Sequence, residues 1–595
     1  MCGIAGVWSS RDVAPPAPGV AHAVAAMLDA IRHRGPDGDG VVTAPGAVIG
    51  ACRLAIVDPA HGAQPMRTGG DRFTLALNGA IVNHVELRDE LTARGVRFRT
   101  RCGTEVLLEL LALEGLDGLA RMNGMFALAF HDARDGTLLL ARDPCGIKPL
   151  YWAEHADRVF FASEPKALLA ALPGPPRLCE EALLDYLSFQ IPLGDRTFFD
   201  GIRRVPPGTV LCLRTGRTPV AVPLPDWSAT TEVPDDPAAA AELLAALLDD
   251  AVRIHLRADV PLGAHLSGGV DSSLVAATAA RHLGAPLHVF TGAFDVAGFD
   301  ERVHARAVAA EIGAVCHEVV PGPQELADAL PRAARAMDEP VAGPGLLPQW
   351  FVAARAARDV KVVLGGQSGD ELFSGYVRHL VLRLESALED AIRGGDTRAL
   401  RTLAPHLDAL DGYGPLLRRQ FASGLFDRGA ERYVTLLHRG AELPSVLTGD
   451  LAQSLTAHPA EERFRAAYRE SARGGDGPAS AVADAARFDR RWFLPALLQV
   501  EDRTSMAWSL ESRVPLLDRR VLDFVERCPD SVLLGDGELK SLLRRAAAGS
   551  LPEAARRRRD KMGFPVPLAA WARGPLASFF TDLLTDRTAR SRGFY

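Results

Sequence analysis

The chain is organised around a short segment rich in glycine and serine, residues 267–273, which reads Ser-Gly-Gly-Val-Asp-Ser-Ser. An apolar run, 260–266, precedes it, and residues with helical spacing, 274–282, follow it. A strand that enters a glycine-rich turn and then a helix leaves backbone N–H groups pointing at one spot, where the positive end of the helix dipole also lies. Gly268 and Gly269 let the backbone come close to an anion, and the serines add hydroxyl donors. The segment therefore predicts a phosphate site at the end of a strand, with an ordinary Gly-Ser turn as the alternative.

Asp271 is the unusual member of this segment, because a carboxylate beside phosphate groups is repulsive unless a cation lies between them. Mg2+ is the natural cation, since it binds through one or two carboxylates together with phosphate oxygens. The segment lacks the Gly-Lys-Ser/Thr ending of a Walker loop. It resembles instead the pyrophosphate loop of enzymes that cleave ATP between its α and β phosphates and adenylate a carboxylate.

Length and charge limit the kind of protein further. At 595 residues the chain is too long for one hydrophobic core, so about two to four domains are expected. A net charge of −7 and a pI near 6.2 give no indication of a nucleic-acid partner. The basic cluster at 556–559 fits a solvated helix face, with phosphate or substrate docking as the alternative.

The cysteines and apolar runs indicate the compartment. The eight cysteines are scattered singly with no CxxC pair, so neither a zinc site nor a disulfide framework is indicated. No apolar run reaches the roughly 18–20 residues of a membrane span, and the first residues lack the features of a signal peptide. We expect a cytoplasmic protein with reduced thiols and no membrane partner.

The pattern of strands and helices changes near the middle of the chain. Residues 1–215 contain short strand-like runs and two helical stretches, 24–32 and 85–94, which fits a layered α/β/β/α sandwich. The predicted strands there are 4–7, 48–50, 54–57, 74–77, 126–130 and 137–141. A segment with five prolines, 219–237, then reads as a linker, and Asp235 and Asp236 can cap the helix that follows.

Apolar strands and helices alternate beyond the linker, which predicts a parallel sheet. The expected strands are 260–266, 287–290, 316–320 and 361–364, and the expected helices are 272–282, 301–312 and 348–358. Ligands of such sheets bind beyond the carboxyl ends of the strands, where Ser267, Gly292 and Gly365 fall. After Tyr376 the chain is almost wholly helical in pattern.

Cys2 is the chemical candidate of the first half. If Met1 is removed, Cys2 carries both a thiol and a free α-amino group, whose reference pKa of roughly 7.7–8.0 lets it accept a proton at neutral pH. An N-terminal nucleophile thus brings its own general base. A cysteine at position 2 is weak evidence by itself, but its setting strengthens it.

A series of motifs surrounds Cys2 in a fixed order. They are residues 1–7 (MCGIAGV), 33–37 (HRGPD), 53–58 (RLAIVD), 78–79 (NG), 142–151 (RDPCGIKPLY) and 162–164 (ASE). This set resembles the class II glutamine amidotransferase domain, and together with 267–273 the whole chain resembles the glutamine-hydrolysing asparagine synthetases. The resemblance implies an α/β protein: an N-terminal Ntn-hydrolase sandwich (1–215), a linker (216–237) and an ATP-pyrophosphatase domain with a helical C-terminal part (238–595).

The resemblance implies roles for four residues of the first domain. Cys2 would attack the side-chain amide of glutamine, giving a glutamyl thioester and ammonia. Arg53 would hold the α-carboxylate of glutamine through a forked ion pair. Asn78 and Gly79 would bind glutamine and supply oxyanion donors, with a turn of an Asn-Gly hairpin as the alternative.

The second domain has its own implied set. Asp271 and Asp370, the latter in the segment 365–371 (GGQSGDE), would hold Mg2+ with pyrophosphate, although Asp370 could also cap a helix. Lys540 would neutralise charge as pyrophosphate leaves. Lys561 and Arg503 also match family motifs, without a firm role. The residues expected to bind ATP are Leu266, Ser267, Gly268, Gly269, Asp271, Ser272, Ser273, Val289, Gly292, Gly365 and Gly366.

Three positions depart from the family pattern. Ala80 and Gly103 stand where the family usually has acidic residues that hold the α-ammonium of glutamine. Gln367 replaces a Glu thought to orient or deprotonate the attacking nitrogen, and an amide cannot act as a base. The glutaminase site is therefore expected to be impaired or to accept a different donor.

The sequence thus predicts amide formation by adenylation of a carboxylate with ATP and Mg2+, using ammonia from glutamine that crosses an apolar passage between the domains. L-Aspartate is the first expectation for the acceptor, and a specialised amide or amine ligase of secondary metabolism, using ammonia or another amine, is the runner-up. Two further readings stay open: a ligase whose N-terminal domain is only a scaffold, and a non-catalytic nucleotide-binding regulator. The expected partners are small molecules, with a homodimer as the expected assembly.

Overall fold

The computed structural model describes residues 2–11, 16–227, 232–422, 424, 429–440, 442–457, 459–473, 478–535, 537–556, 558 and 566–594. Lys561 lies outside these described residues. None of the described helices is both long and apolar enough to cross a membrane.

Two antiparallel sheets form the first part of the chain. The sheet orders are β10-β8-β9-β1-β3-β2 and β12-β11-β7-β6-β5-β4. The strands are β1 Cys2–Ser9, β2 Gly38–Ala44, β3 Ala47–Arg53, β4 Met66–Thr68, β5 Phe73–Ile81, β6 Gly124–Asp132, β7 Thr137–Arg142, β8 Tyr151–His155, β9 Arg158–Ala162, β10 Ile202–Arg204, β11 Thr209–Leu213 and β12 Val220–Pro223. The helices of this part are α1 Pro18–Ala30, α2 His84–Ala93, α3 Gly103–Glu114, α4 Pro165–Leu169 and α5 Glu180–Phe189.

Alternation along the strands explains the layers. One face of each sheet contributes to a shared core that joins Ile4 and Trp8 of β1 to Ala127 of β6. The opposite faces are covered by α1 on the first sheet and α3 on the second. The central strands therefore have apolar side chains on both faces, as strands between two layers require. The predicted α/β/β/α sandwich is confirmed.

A parallel sheet of order β15-β14-β13-β16-β17 forms the centre of the second part. Its strands are β13 Leu262–His265, β14 His288–Gly292, β15 Val315–Val319, β16 Val362–Leu364 and β17 Glu511–Arg513. The chain places β14 and β15 on one side of β13 and then β16 and β17 on the other. The strand order therefore reverses its direction between β13 and β16. Ligands of open parallel sheets bind at such a switch point.

Helices account for most of the remaining chain, as the sequence predicts. They are α6 Pro237–His255, α7 Val270–His282, α8 Arg302–Glu311, α9 Pro323–Met337, α10 Leu346–Ala356, α11 Gly369–Leu372, α12 Val377–Gly394, α13 Arg398–Leu403, α14 Gly414–Ala422, α15 Ala430–Leu437, α16 Leu443–Val446, α17 Gly449–Ala457, α18 Ala460–Ser471, α19 Pro478–Phe488, α20 Leu494–Met506, α21 Arg519–Arg527, α22 Asp530–Leu534, α23 Ser541–Ala546, α24 Glu553–Arg556, α25 Leu568–Arg573, α26 Ala577–Thr585 and α27 Arg587–Ser591. A π-helical turn, Asp489–Phe493, joins α19 to α20.

Two local predictions are wrong. Residues 54–57 are not a strand, because β3 ends at Arg53. Leu54 and Ile56 instead pack against Val362 and Met506 of the second domain, so their burial comes from a domain contact and not from a sheet. The predicted linker 216–237 also begins too early, since Val220–Pro223 pairs with β11 as an edge strand of the sandwich.

The start of α6 agrees with the predicted cap. Asp236 accepts a hydrogen bond from the backbone N–H of Ala239 at 2.9 Å, as an N-cap residue does. The other predicted strands of the first half lie within β1, β3, β5, β6 and β7, and those of the second half overlap β13 to β16.

Candidate active site

The segment 267–273 connects β13 to α7 and forms a tight turn. The Ser272 hydroxyl accepts a hydrogen bond from the backbone N–H of Ser267 at 3.1 Å and lies 3.0 Å from the Ser267 hydroxyl. Gly268 has φ +72°, and a Cβ there would lie 2.6 Å from the Cβ of His304. The positive φ and the close approach both require glycine. The turn is thus a fixed feature beyond the carboxyl end of β13, as predicted.

A cavity of about 540 Å³ opens at this turn, between the ends of β13 and β16. Nine of the predicted site residues line it: Leu266, Ser267, Gly269, Asp271, Ser272, Gly365, Gly366, Asp370 and Lys540. Four predicted ATP-binding residues are not among the lining residues: Gly268, Ser273, Val289 and Gly292. Phe290 lines the cavity where Val289 was expected, because neighbouring side chains of a strand point to opposite faces.

Three charged side chains meet in this cavity. The Lys540 ammonium lies 2.5 Å from a carboxylate oxygen of Asp271 and 3.0 Å from one of Asp370. Burial raises the pKa of Asp271, which the Lys540 charge opposes. Burial by itself lowers the pKa of Lys540, but the two carboxylates raise it well above its ordinary value. The cluster therefore holds a fixed cation between two carboxylates.

The backbone around this cluster is built for close approach. A Cβ on Gly375 would lie 2.2 Å from both Asp370 Oδ1 and Lys540 Cε. Lys540 itself has φ +61°, a conformation that is uncommon for a residue with a side chain and is typical of functional positions. Asp370 follows the N-cap residue Ser368 of α11, so the alternative reading of Asp370 as the cap is not supported.

The second predicted centre lies around Cys2, at the start of β1. The Cys2 backbone N–H donates to the side-chain oxygen of Asn78 at 3.3 Å, and Gln64 Nε2 donates to the thiol sulfur at 3.4 Å. Burial raises the pKa of the Cys2 thiol. The thiol is therefore protonated at neutral pH and needs a base before it can attack.

Asn78 and Gly79 lie inside β5, so the alternative reading of a hairpin turn is wrong. The Asn78 side-chain N–H2 group is buried and has no hydrogen-bond partner among the described residues. A Cβ on Gly79 would lie 2.1 Å from the carbonyl oxygen of Met125 on β6. The strand thus presents one unused amide donor beside the thiol.

Arg53 is occupied differently from the prediction. Its guanidinium donates to the backbone carbonyl oxygens of Pro59 at 2.7 Å and Asp58 at 2.8 Å. These bonds close the turn that follows β3. To form a forked ion pair with a ligand carboxylate, Arg53 would have to give up some of its bonds to the carbonyl oxygens of Pro59 and Asp58. The sequence does not reveal these bonds.

The cavity at Cys2 is small, about 70 Å³, and both domains line it. Ala80 and Gly103, two of the three departures from the family pattern, are part of its wall beside His84. Burial lowers the pKa of His84, so this side chain is neutral at pH 7. The second domain contributes Ile254, Arg257, Glu511 and Arg513.

A buried ionic network joins the two centres, and sequence reasoning missed it. Arg34 is fully buried and donates to both carboxylate oxygens of Asp502, at 2.8 and 3.1 Å. It also donates to the backbone carbonyl of Cys2 at 3.3 Å and to Glu164 at 2.8 Å. Asp502 lies on α20, whose residues Glu501, Thr504 and Ser505 line the larger cavity. Only the tertiary structure brings these sequence-distant charges together.

Comparison with protein-family models decides the relationship. Residues 243–595 match the model described as asparagine synthase, and residues 1–222 match a glutamine amidotransferase domain. The chain belongs to the asparagine synthase family. This membership confirms the resemblance seen in the sequence and the class of enzyme, an ATP-dependent ligase.

Individual relatives agree over nearly the whole length. The glutamine-hydrolyzing asparagine synthetase 1 of Bacillus subtilis is 31% identical, with 98% of this chain and 90% of the relative covered. The asparagine synthetase 3 of the same species is 28% identical over 89% of this chain and 81% of the relative. Amidase chyE of Penicillium rubens is 27% identical over 95% and 88%.

Proposed function

We propose that this enzyme converts L-aspartate to L-asparagine, adenylating the acceptor carboxylate with ATP and displacing AMP with ammonia taken from glutamine. The single observation that carries this proposal is the Asp271–Lys540–Asp370 cluster in the cavity at the switch point of the parallel sheet. Relatives named as asparagine synthetases support aspartate as the acceptor.

The turn 267–273 would hold the phosphates of ATP. Its backbone N–H groups and the N-terminal end of α7 favour negative charge at this spot. Arg558 supports the turn, donating to the carbonyl oxygen of Ser267 at 3.0 Å. The apolar wall formed by Phe290, Val352 and Ala353 is suited to the adenine base.

Asp271 and Asp370 would bind Mg2+ together with pyrophosphate oxygens. Both carboxylates converge on one cation position, where the Lys540 ammonium lies, and Asp271 Oδ1 is a buried oxygen without a partner among the described residues. Two carboxylates are the donor set that Mg2+ prefers when phosphates complete its coordination. When bound, the ion would stabilise negative charge on the phosphates.

Lys540 would act during adenylation. The acceptor carboxylate oxygen attacks the α-phosphorus of ATP, the bond between the α-phosphorus and the bridging oxygen breaks, and pyrophosphate leaves with the electron pair. The Lys540 ammonium is positively charged in a buried site beside the two carboxylates, so it would neutralise charge on the leaving group.

The centre at Cys2 would supply ammonia. With Met1 removed, the α-amine of Cys2 takes the thiol proton, and the sulfur attacks the side-chain amide of glutamine. The amide N–H2 group of Asn78, which has no partner among the described residues, would donate to the oxyanion, with Gly79 beside it. Arg53 would bind the substrate carboxylate if it exchanges carbonyl partners for it. Leu54, which lines the small cavity, packs in one apolar cluster with Met506 of α20, and ammonia would pass along this contact.

The setting we propose is the cytoplasm, with small-molecule substrates. Its support is the state of the cysteines: all eight are free in the described structure. Reduced thiols are typical of that compartment.

Aspartate-dependent pyrophosphate release from ATP and Mg2+ tests the proposal. We expect release that needs aspartate and a nitrogen donor, with asparagine formed in equal amount. Release with another carboxylate but not with aspartate would contradict the aspartate assignment and favour a specialised amide ligase. Nucleotide binding without release under any acceptor would contradict the ligase assignment as well.

A further inference from the structure

Glu501 lines the larger cavity and has no part in binding ATP or in the adenylation step as proposed. It lies on α20, with its carboxylate against the carboxyl end of β16, because a Cβ on Gly365 would lie only 2.5 Å from Glu501 Oε1. The Ser512 hydroxyl of β17 donates to the same oxygen. Glu501 Oε1 is therefore fixed from two sides.

The other oxygen, Oε2, is buried and accepts no hydrogen bond of ordinary geometry from the described residues, although the neighbouring Gln367 amide lowers the pKa of Glu501. A buried carboxylate oxygen without a partner is costly, and such groups in native proteins call for an explanation. Glu501 lines the cavity together with Gln367 and Ser368. Oε2 belongs to a carboxylate held through its other oxygen and lies beside a substrate cavity, so it can accept a proton.

The surroundings shift the pKa of Glu501 toward neutral pH, where a carboxylate can act as a general base. Burial raises the pKa of Glu501 to about 7, although the Ser512 hydroxyl and the Lys148 charge oppose this effect. Lys148 is shared, since its ammonium lies 3.3 Å from the Ser512 carbonyl oxygen and 3.6 Å from Asp502. The charged and titratable groups that face Glu501 or line the cavity around it are Lys148, Asp502, His265, Asp271, Asp370, Glu371, Tyr376, Tyr413, Lys540, Arg544 and Arg558.

Glu501 differs from the other carboxylates that line the cavity in the described structure. Asp271 and Asp370 are paired with Lys540. Glu371 accepts a hydrogen bond from the Tyr376 hydroxyl. Gln367 carries an amide, which cannot take a proton. Glu501 thus combines a pKa of about 7 with an oxygen that accepts no hydrogen bond of ordinary geometry among the described residues, and it is not paired with Lys540 or with a tyrosine hydroxyl.

We propose that Glu501 is the general base of the amide-forming step, an assignment that rests on the function proposed above. Ammonia attacks the acyl carbon of the aspartyl adenylate, and its lone pair forms the new C–N bond while the carbonyl becomes an oxyanion. Glu501 Oε2 takes one proton from the attached nitrogen. The oxyanion then re-forms the carbonyl, and the bond from carbon to the phosphate oxygen breaks to release AMP.

The test separates adenylation from amide formation in the Glu501→Gln protein. Aspartate-dependent exchange of labelled pyrophosphate into ATP reports adenylation and should stay within about threefold of wild type. Amide formation from ammonium should fall by roughly 10²–10⁴-fold, the usual contribution of a general base. The Glu501→Asp protein, which keeps a carboxylate, should recover part of this loss, and thermal unfolding of both variants checks their folding.

The pH profile gives a readout that a merely structural role would not change. With rates expressed per concentration of unprotonated ammonia, wild-type amide formation should fall with one proton below about pH 7, because the base is then protonated. The Glu501→Gln protein should lose this limb. Pyrophosphate exchange should lack it in both proteins.

Three results would overturn the assignment. Amide formation at the wild-type rate in Glu501→Gln would exclude a base role. An equal loss of exchange and amide formation in folded Glu501→Gln and Glu501→Asp would instead make Glu501 a substrate-binding residue. Absence of exchange with aspartate in the wild-type protein would contradict the proposed function itself, and the base assignment with it.

Discussion

The two candidate centres differ in how their buried polar side chains are paired. In the larger cavity, the Lys540 ammonium is paired with both Asp271 and Asp370 before any ligand binds. In the small cavity, the Asn78 amide N–H2 group has no partner among the described residues, and Arg53 donates to the backbone carbonyl oxygens of Asp58 and Pro59. Ion pairs hold the side chains of the first centre in place, whereas the second centre needs its substrate to supply hydrogen-bond partners.

This difference follows from where each wall comes from. In the charged cluster, Asp271 and Asp370 follow strands of one sheet. Lys540 can lie against them because Gly375 has no Cβ at the point of contact. Both domains line the cavity at Cys2, and its wall includes Ala80 and Gly103, where the sequence resemblance predicts acidic residues. We therefore expect changes in the first centre to abolish activity, and changes in the second to alter only the use of glutamine.

Lys540→Ala should give the largest effect. Without its ammonium, Asp271 and Asp370 repel each other and the leaving pyrophosphate, so aspartate-dependent pyrophosphate exchange should fall by about 10³-fold or more. Lys361→Ala, which removes an exposed lysine paired with Asp37 at 3.0 Å, is the matched control and should leave exchange unchanged. Exchange above a tenth of the wild-type rate in Lys540→Ala would argue against the charge-neutralising role.

Asn78→Ala should give the next largest effect and should confine it to glutamine. Loss of one oxyanion donor lowers turnover by roughly 10²–10³-fold. Glutamine-supported asparagine formation should fall by that factor, while ammonium-supported formation stays unchanged. If both fall together, Asn78 acts through the domain interface and not through the thiol centre.

Ala80→Glu should give the smallest effect, and in the opposite direction. A carboxylate in this wall can pair with the α-ammonium of glutamine, and a charge-assisted hydrogen bond contributes about 1.5–3 kcal/mol. The KM for glutamine should therefore fall by roughly tenfold or more. Ala80→Gln adds similar volume without charge and is the control. An equal change in both variants would show that volume, not charge, limits glutamine binding.

Much of this organisation was predictable because it is local in sequence. The segment 267–273 carries its strand, turn and helix within about twenty residues, and its position at a strand end predicts its neighbours. The three-residue strand β17, Glu511–Arg513, escaped prediction since its sequence is charged and gives no apolar signal. Its pairing with β16 depends entirely on tertiary structure.

Long-range contacts limited prediction of the sites in the same way. Leu54 and Ile56 look like strand residues, but they are buried by the other domain. Arg34 and Asp502 are 468 positions apart, and the local sequence around neither residue indicates that they pair. Arg53 lines the same small cavity as Cys2, and only the structure shows its bonds to carbonyl oxygens.

The most direct measurement compares glutamine with ammonium as nitrogen donor for asparagine formation, in the wild-type and Cys2→Ala proteins. The contrast between the centres predicts substantial turnover with ammonium in both proteins. It predicts a high KM for glutamine in wild type, and no glutamine-supported turnover in Cys2→Ala. Glutamine used at low KM by wild type would contradict the claim that the centre at Cys2 lacks its charged contacts, and glutamine turnover that survives Cys2→Ala would exclude Cys2 as the nucleophile.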